Sequence, residues 1–241
     1  MLVWKLMKHS IKSQMQHRAS FFMLAISHFF SCLLDMFGIW ILFDRFKMLK
    51  DWSLSEIALI YGVIHMGFAL AEGFGRGFDS FDFLVKRGDF DRLLLRPVST
   101  LVQVATSQVQ LMRIGRFLQG LMVLTWGAYS LDLPPHSFLL LAACTGGAAA
   151  VFYGLFILQA TLAFWTTETL EVFNIMTYGG VEVGQYPISI FKQPLKGFFT
   201  FIIPLAAVGS YPIASLLHKI DGLGHFGWLM PLFGVLFLYV C

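Results

Sequence analysis

Apolar stretches long enough to cross a bilayer recur along this chain, separated by short polar breaks. About 20 consecutive apolar residues suffice for a helical crossing. That pattern predicts a first span over Ser20–Phe43 and a second over Leu54–Phe74. A third is predicted over Gly115–Leu133, a fourth over Ser137–Trp165 and a fifth over Gly197–Leu217. A sixth begins near Trp228 and is cut off at Cys241. Its last 14 residues reach only about 21 Å, short of the roughly 30 Å hydrocarbon core, so a truncated span is expected. Pro134 and Pro135 cannot continue a helix, so Leu131–His136 reads as a tight hairpin. Thr166–Lys196 reads as a longer connection on the opposite side, lying along the interface or holding a re-entrant piece.

The pattern breaks most sharply at Phe78–Pro97, FDSFDFLVKRGDFDRLLLRP. This segment is too charged to cross a bilayer and too apolar for an idle loop. Phe78, Phe81, Leu84 and Val85 fall on one helical face. Gly88 can close that short helix, and Asp89 can cap a second one over Phe90–Leu95. Arg96 precedes Pro97, which disfavours α geometry and turns the chain. Two short helices parallel to the membrane are expected. They would either dock on a soluble partner or pack only on their own bundle. In the docking reading the apolar knobs supply burial, and Asp89, Asp91, Arg92 and Arg96 set register.

Composition narrows the class. Hydrophobic residues make up 57% of the 241 residues and charged residues 13%, against about 25% charged in soluble domains. The expected fold is therefore all-α: a polytopic helical membrane protein of about six transmembrane helices, a single domain over 1–241. Residues 1–18 carry Lys5, Lys8, Lys12 and Arg18 between apolar positions at helical spacing, and no acid. They predict an interfacial helix on an anionic leaflet. Lysines and arginines also set orientation. One side collects Lys5, Lys8, Lys12, Arg18, Arg76, Lys86, Arg87, Arg92, Arg96, Lys192 and Lys196. The other has Arg45, Lys47, Lys50 and Lys219, giving 11 against 4. The N-terminus and the 78–97 segment are thus expected in the cytoplasm.

Candidate chemistry is sparse. Asp35 and Glu72 lie in predicted spans, where an aspartate at a helix centre costs about 2.5–3.5 kcal/mol. Both are expected to face the bundle interior or a watery cavity. They serve a substrate or proton there, or are merely solvated or paired, as Glu72 with Arg76 at i,i+4. His28 and His65 read as structural hydrogen-bonding groups. Arg113 and Arg116 at the mouth of the third span either hold lipid headgroups, steady the charged segment or snorkel to the interface. Ala142, Gly146, Ala150 and Gly154 form a small-residue ridge for close helix approach, internal or between subunits. Cys32, Cys144 and Cys241 show no metal or disulfide spacing, and no cofactor motif is expected. No P-loop or hydrolase motif occurs, so the chain itself is not read as an enzyme. The basic residues follow topology rather than an aromatic-interleaved patch, which argues against nucleic acid.

The order of these features resembles the permease subunits of type-2 ATP-binding-cassette exporters. Gly88-Asp-Phe-Asp-Arg-Leu-Leu-Leu-Arg-Pro97, followed by Arg113-Ile-Gly-Arg116, is similar to a bacterial subfamily with G-x-x-D-x-x-L-x-[RK]-P before the third span. Phe173-Asn174, Gly179-Gly180, Tyr186-Pro187, Ile203-Pro204 and Tyr211-Pro212 are similar to it as well. The resemblance implies a coupling helix docked on a separate ATPase subunit through Phe81, Leu84, Asp89, Phe90, Asp91, Arg92, Leu94, Arg96 and Pro97. It also implies a second permease subunit, identical or paralogous, with an export path between the two, in a bacterial inner membrane. An autonomous proton-linked transporter using Asp35 and Glu72 is the alternative.

Overall fold

The computed structural model describes residues 8, 11, 12, 14–166, 170–220 and 224–241. Helices account for the architecture, and the described residues contain no strand beyond an isolated bridge between Leu49 and Trp52. Most of the expected interfacial helix over 1–18 lies outside the described residues; Lys8, Ile11, Lys12 and Gln14 are helical, and a 3-10 turn spans Met15–His17.

Helix α1 (Arg18–Phe46) buries a single stripe, Cys32, Met36, Ile39 and Phe43, at spacings of a helical face. Much of its remaining surface is exposed. Helix α2 (Leu54–Asp79) is the hub, buried on nearly every side. Its start is fixed by a capping box: Ser53 Oγ accepts from the Glu56 amide, and Glu56 accepts from the Ser53 amide at 2.7 Å. Such a cap contributes about 1 kcal/mol. After α2 come α3 (Phe81–Lys86), α4 (Asp89–Leu94) and α5 (Thr100–Ser107). Helices α6 (Ile114–Ser130) and α7 (Ser137–Leu162) then pack on α2, joined at the proline turn. Lipid tails are as apolar as side chains, so close packing rather than water exclusion holds such helices together. A Cβ at Gly67 would meet the Ala148 side chain at 2.6 Å, which shows how near the backbones lie.

The small-residue ridge of α7 makes internal contact in its second half, with Ala150 and Gly154 buried and Ala142 and Gly146 exposed. Gly146 has nothing within 4 Å of its Cβ position, whereas Gly147 meets Pro231 and Gly234. Gly154 meets Phe237 of α12 (Leu232–Val240) and Cys241 just after it, so α7 and α12 run parallel and in contact.

The largest departure concerns Thr166–Lys196. Its helix α8 (Leu170–Gly184) does not lie along the interface. It buries Phe173, Thr177 and Val181 and runs antiparallel to α2, with Tyr178 level with Glu72 and Gln185 level with His65. Its far end therefore arrives on the side of the α1–α2 turn. Lys50 Nζ there donates to the carbonyls of Ser189 and Ile190, each at 3.3 Å. Lys219 reaches Glu56 on the same side at 2.8 Å.

Both ends of the expected fifth span thus lie on one face. Between them run α9 (Gln193–Gly197) with a π turn at Phe198–Ile202, then α10 (Leu205–Val208) and α11 (Ser210–Leu216). The two limbs meet at 75°. Pro204 supplies the break, because it lacks an amide and pushes Ile203 into extended geometry (φ −115°, ψ 102°). Gly197–Leu217 is a re-entrant hairpin rather than a crossing. Lys192 and Lys196 consequently move across, and the basic count becomes 9 against 6.

Three helical stretches are long and apolar enough to span a bilayer: α1, α2 continued into α3, and α7. The bent pair would make a fourth by length and composition alone, but both its ends lie on one face. Helices α6, α8 and α12 have 17, 15 and 9 residues, so length alone does not make them spans. The chain is an all-α polytopic membrane protein.

Candidate functional site

The charged segment is held in place by its own ends. Gly77 approaches α5 so closely that a Cβ would collide with the Val104 carbonyl. Asp79 pairs with Arg76 and accepts from Gln159 Nε2 of α7 at 3.2 Å. Gly88 adopts φ 72°, a left-handed turn that a side chain would strain. It is the residue before α4, and Asp89 is the first helical residue rather than the cap. The Asp89 carboxylate instead meets Arg92 at 3.4 Å. Gln103 Nε2 ties down the following turn through the carbonyls of Leu93 (3.0 Å) and Val98 (2.9 Å).

Two faces result. Phe81 is buried, with its ring 5.3 Å from those of Phe90 and Phe164. Leu84, Val85 and the half-buried Phe90 pack on the same core. Asp91, Arg92, Leu94, Leu95, Arg96 and Pro97 are exposed, as is Phe83. Leu95 and Phe83 carry no polar spacing that singles them out in the sequence.

Above this segment sits a buried charge cluster. Glu72 is fully buried. Its carboxylate accepts from Arg113 Nη2 at 3.2 Å, Arg116 Nη1 at 3.1 Å and the Tyr178 hydroxyl at 3.1 Å. Arg113 also donates to Gln110 Oε1 at 3.0 Å and contacts His28 Nε2 at 3.3 Å. Arg116 Nε donates to Cys32 Sγ at 3.3 Å, and its guanidinium lies 4.9 Å from the Phe68 ring centroid. The i,i+4 pairing of Glu72 with Arg76 does not form, since Arg76 turns to Asp79. The two arginines are only 13% and 16% exposed and point inward rather than to headgroups. Tyr178 carries no charge and sits in a segment expected to be a connection, so nothing in the order of residues marks it.

The cluster has a mechanical meaning. Residues 80–112 connect α2 to α6, and Glu72 with Arg113 and Arg116 clasps the two helices together beside that connection. Gln110 reinforces the clasp, its amide donating to the Gly73 carbonyl at 2.9 Å. Tyr178 extends it to α8.

Asp35 behaves differently from Glu72. It is exposed on α1 rather than facing the bundle interior, and it makes no hydrogen bond or ion pair among the described residues. It lies within electrostatic reach of Tyr61 and Tyr186. On the adjoining surface of α8, Asn174, Tyr178 and Glu182 are exposed at i, i+4 and i+8. The open face between α1 and α8 therefore carries the carboxylates of Asp35 and Glu182. His65 is buried, its Nε2 3.1 Å from Gln185 Oε1, as a structural group would be.

The family model described as ABC-2 family transporter protein matches residues 29–241. The match covers all of the bundle from the middle of α1 onward, and the chain belongs to that family. No curated protein and no solved structure matches it.

Proposed function

We propose that this ABC-2 family permease is the membrane subunit of an exporter driven by a separate ATPase, which grips the 78–97 segment. The observation that carries the reading is the two-faced build of that segment. Phe81, Leu84 and Phe90 brace it from within, while Asp91, Arg92, Leu94, Leu95, Arg96 and Pro97 stand uncovered beside it. Leu94 and Leu95 offer burial to a partner, and the charges around them offer register. Force applied there would pass through the Glu72 clasp into α2, α6 and α8 together. Driving a two-state transporter from 1:99 to 99:1 requires about 5.5 kcal/mol of differential binding, which a nucleotide-hydrolysing partner can supply. The finer placement, in the G-x-x-D-x-x-L-x-[RK]-P subfamily and a bacterial inner membrane, rests on Gly88–Pro97.

In this reading the face bearing the 78–97 segment and the N-terminus is cytoplasmic, and the corrected basic count of 9 against 6 still favours that orientation. A second permease subunit covers part of the open α1–α8 face, leaving Asp35 and Glu182 on a watery path. The proton-linked alternative is less well supported, because Glu72 is committed to two arginines rather than free to carry a proton.

The test is co-purification from mild detergent with identification of partners, followed by Asp91→Arg and Leu94→Glu. Each variant is expected to insert normally, to lose the ATPase on purification and to uncouple hydrolysis from transport. Normal partner retention and transport in both would sink the coupling role of 78–97.

A further inference from the structure

The α1–α2 turn is built under backbone strain. Lys47, Lys50 and Asp51 all take left-handed φ angles, 62°, 46° and 68°. Residues with a Cβ disfavour that region, and such strain persists only where the surroundings over-determine it. Here they do. Lys50 is pinned by two carbonyls of the segment after α8. Trp52 is buried, bridged to Leu49, and covered by the Lys219 ammonium 4.7 Å from its ring centroid.

The strained turn forms one wall of a cavity of about 520 Å³. Ile188, Ser189 and Lys196, where the chain enters the re-entrant hairpin, form a second wall. Ser210, Tyr211 and Lys219, where it leaves, form a third. The cavity exists only because both limbs of the hairpin return to the face that carries the α1–α2 turn. In a simple crossing, Lys196 would sit a bilayer away from Lys219.

Its lining is rich in hydrogen-bond donors. Of three ammonium groups, Lys219 is neutralised by Glu56. Lys50 spends hydrogens on neutral carbonyls, which leave its charge uncompensated. The half-buried Lys196 ammonium makes no hydrogen bond or ion pair among the described residues, and neither does the Tyr211 hydroxyl. Asp51 is the acid that borders the cavity. An ammonium drawn partly out of water without a counter-charge is costly, and an anion that accepts from it recovers that cost. The donors stand on three separate chain segments, which suits a group with several acceptor oxygens.

We infer that this cavity binds a phosphoryl group through Lys50, Lys196 and Tyr211, either as free phosphate or as the headgroup of an anionic lipid. The site stands on the face opposite the 78–97 segment and does not depend on how the permease is energised.

The test uses the full chain in an uncharged detergent. Equilibrium binding of radiolabelled inorganic phosphate is measured, with water-soluble short-chain phosphatidylglycerol as the second probe. Saturable binding is expected, weakened about tenfold or more by Lys196→Gln and largely restored by Lys196→Arg. Tyr211→Phe should weaken it by a smaller factor. Thermal melts should leave Lys196→Gln as stable as the parent, since its ammonium has no internal partner to lose. Lys196-dependent binding of both probes identifies a general phosphoryl site, and binding of phosphatidylglycerol alone identifies a headgroup site. Failure of both probes to bind, or equal binding to the parent and Lys196→Gln, overturns the inference.

Discussion

Arg116 and Glu72 meet 3.1 Å apart across 44 residues of sequence, tying α6 to α2 on either side of the 78–97 segment. Removing one partner of a buried pair typically costs about 3–5 kcal/mol, because the other charge is stranded. Glu72→Gln and Arg116→Gln should each lower the melting temperature of the detergent-solubilised protein substantially. The double variant should be less destabilised than the sum, with a coupling of about 0.5–3 kcal/mol. Strict additivity of the two would show that they do not act on each other.

Phe81 and Phe83 lie two residues apart in α3 and face opposite ways, one 4% exposed and the other 55%. Phe81→Ala empties a packed aromatic site and should cost about 3–5 kcal/mol. Phe83→Ala should leave stability within about 0.5 kcal/mol while weakening recovery of the ATPase partner. Melting curves and partner pull-downs on the same preparations check both halves. A destabilised Phe83 variant would mean that this face is already covered within the chain.

The re-entrant reading of Gly197–Leu217 fixes which side Lys196 occupies. In a protein whose native cysteines are replaced by alanine, Lys196→Cys and Lys50→Cys should react with an impermeant maleimide from the same side of sealed vesicles. Asp91→Cys should react only from the other. Labelling of Lys196→Cys and Asp91→Cys from one common side would restore the simple crossing.

Asp35 and Phe30 are both exposed on α1. A carboxylate in contact with lipid would cost about 2.5–3.5 kcal/mol at mid-helix, so its surface should be wet. Asp35→Cys is expected to react with a water-soluble maleimide at least about tenfold faster than Phe30→Cys, because the reactive thiolate forms in water and not in lipid. Equal, slow labelling would place Asp35 against lipid or a dry contact.

The segment Phe78–Pro97 was legible because its signals are local. Gly88 marks a left-handed turn, Arg96-Pro97 marks a bend, and the apolar residues repeat at helical spacing. Local signals put Phe81 and Phe83 on different faces but did not tell whether the Phe81 face turns to the bundle or to a partner. Phe164, brought from beyond the end of α7 against Phe81, turns that face to the bundle. Glu72 likewise looked paired with Arg76 at i,i+4. The competing acid Asp79 captured Arg76, and two arginines from the next helix took its place.

Taken alone, the order of residues settled that the chain is a helical membrane protein, where α1, α2 and α7 run and where the chain turns at Pro134–Pro135. Hydrophobic length and proline geometry are properties of contiguous residues, and they survive in any fold. The re-entrant hairpin, the clasp on Glu72 and the lysine-lined cavity were decided only by tertiary structure. An apolar stretch of span length can cross a bilayer or bend at Pro204 and come back with nearly the same hydropathy. The choice is made by what α8, arriving on the far side, leaves room for.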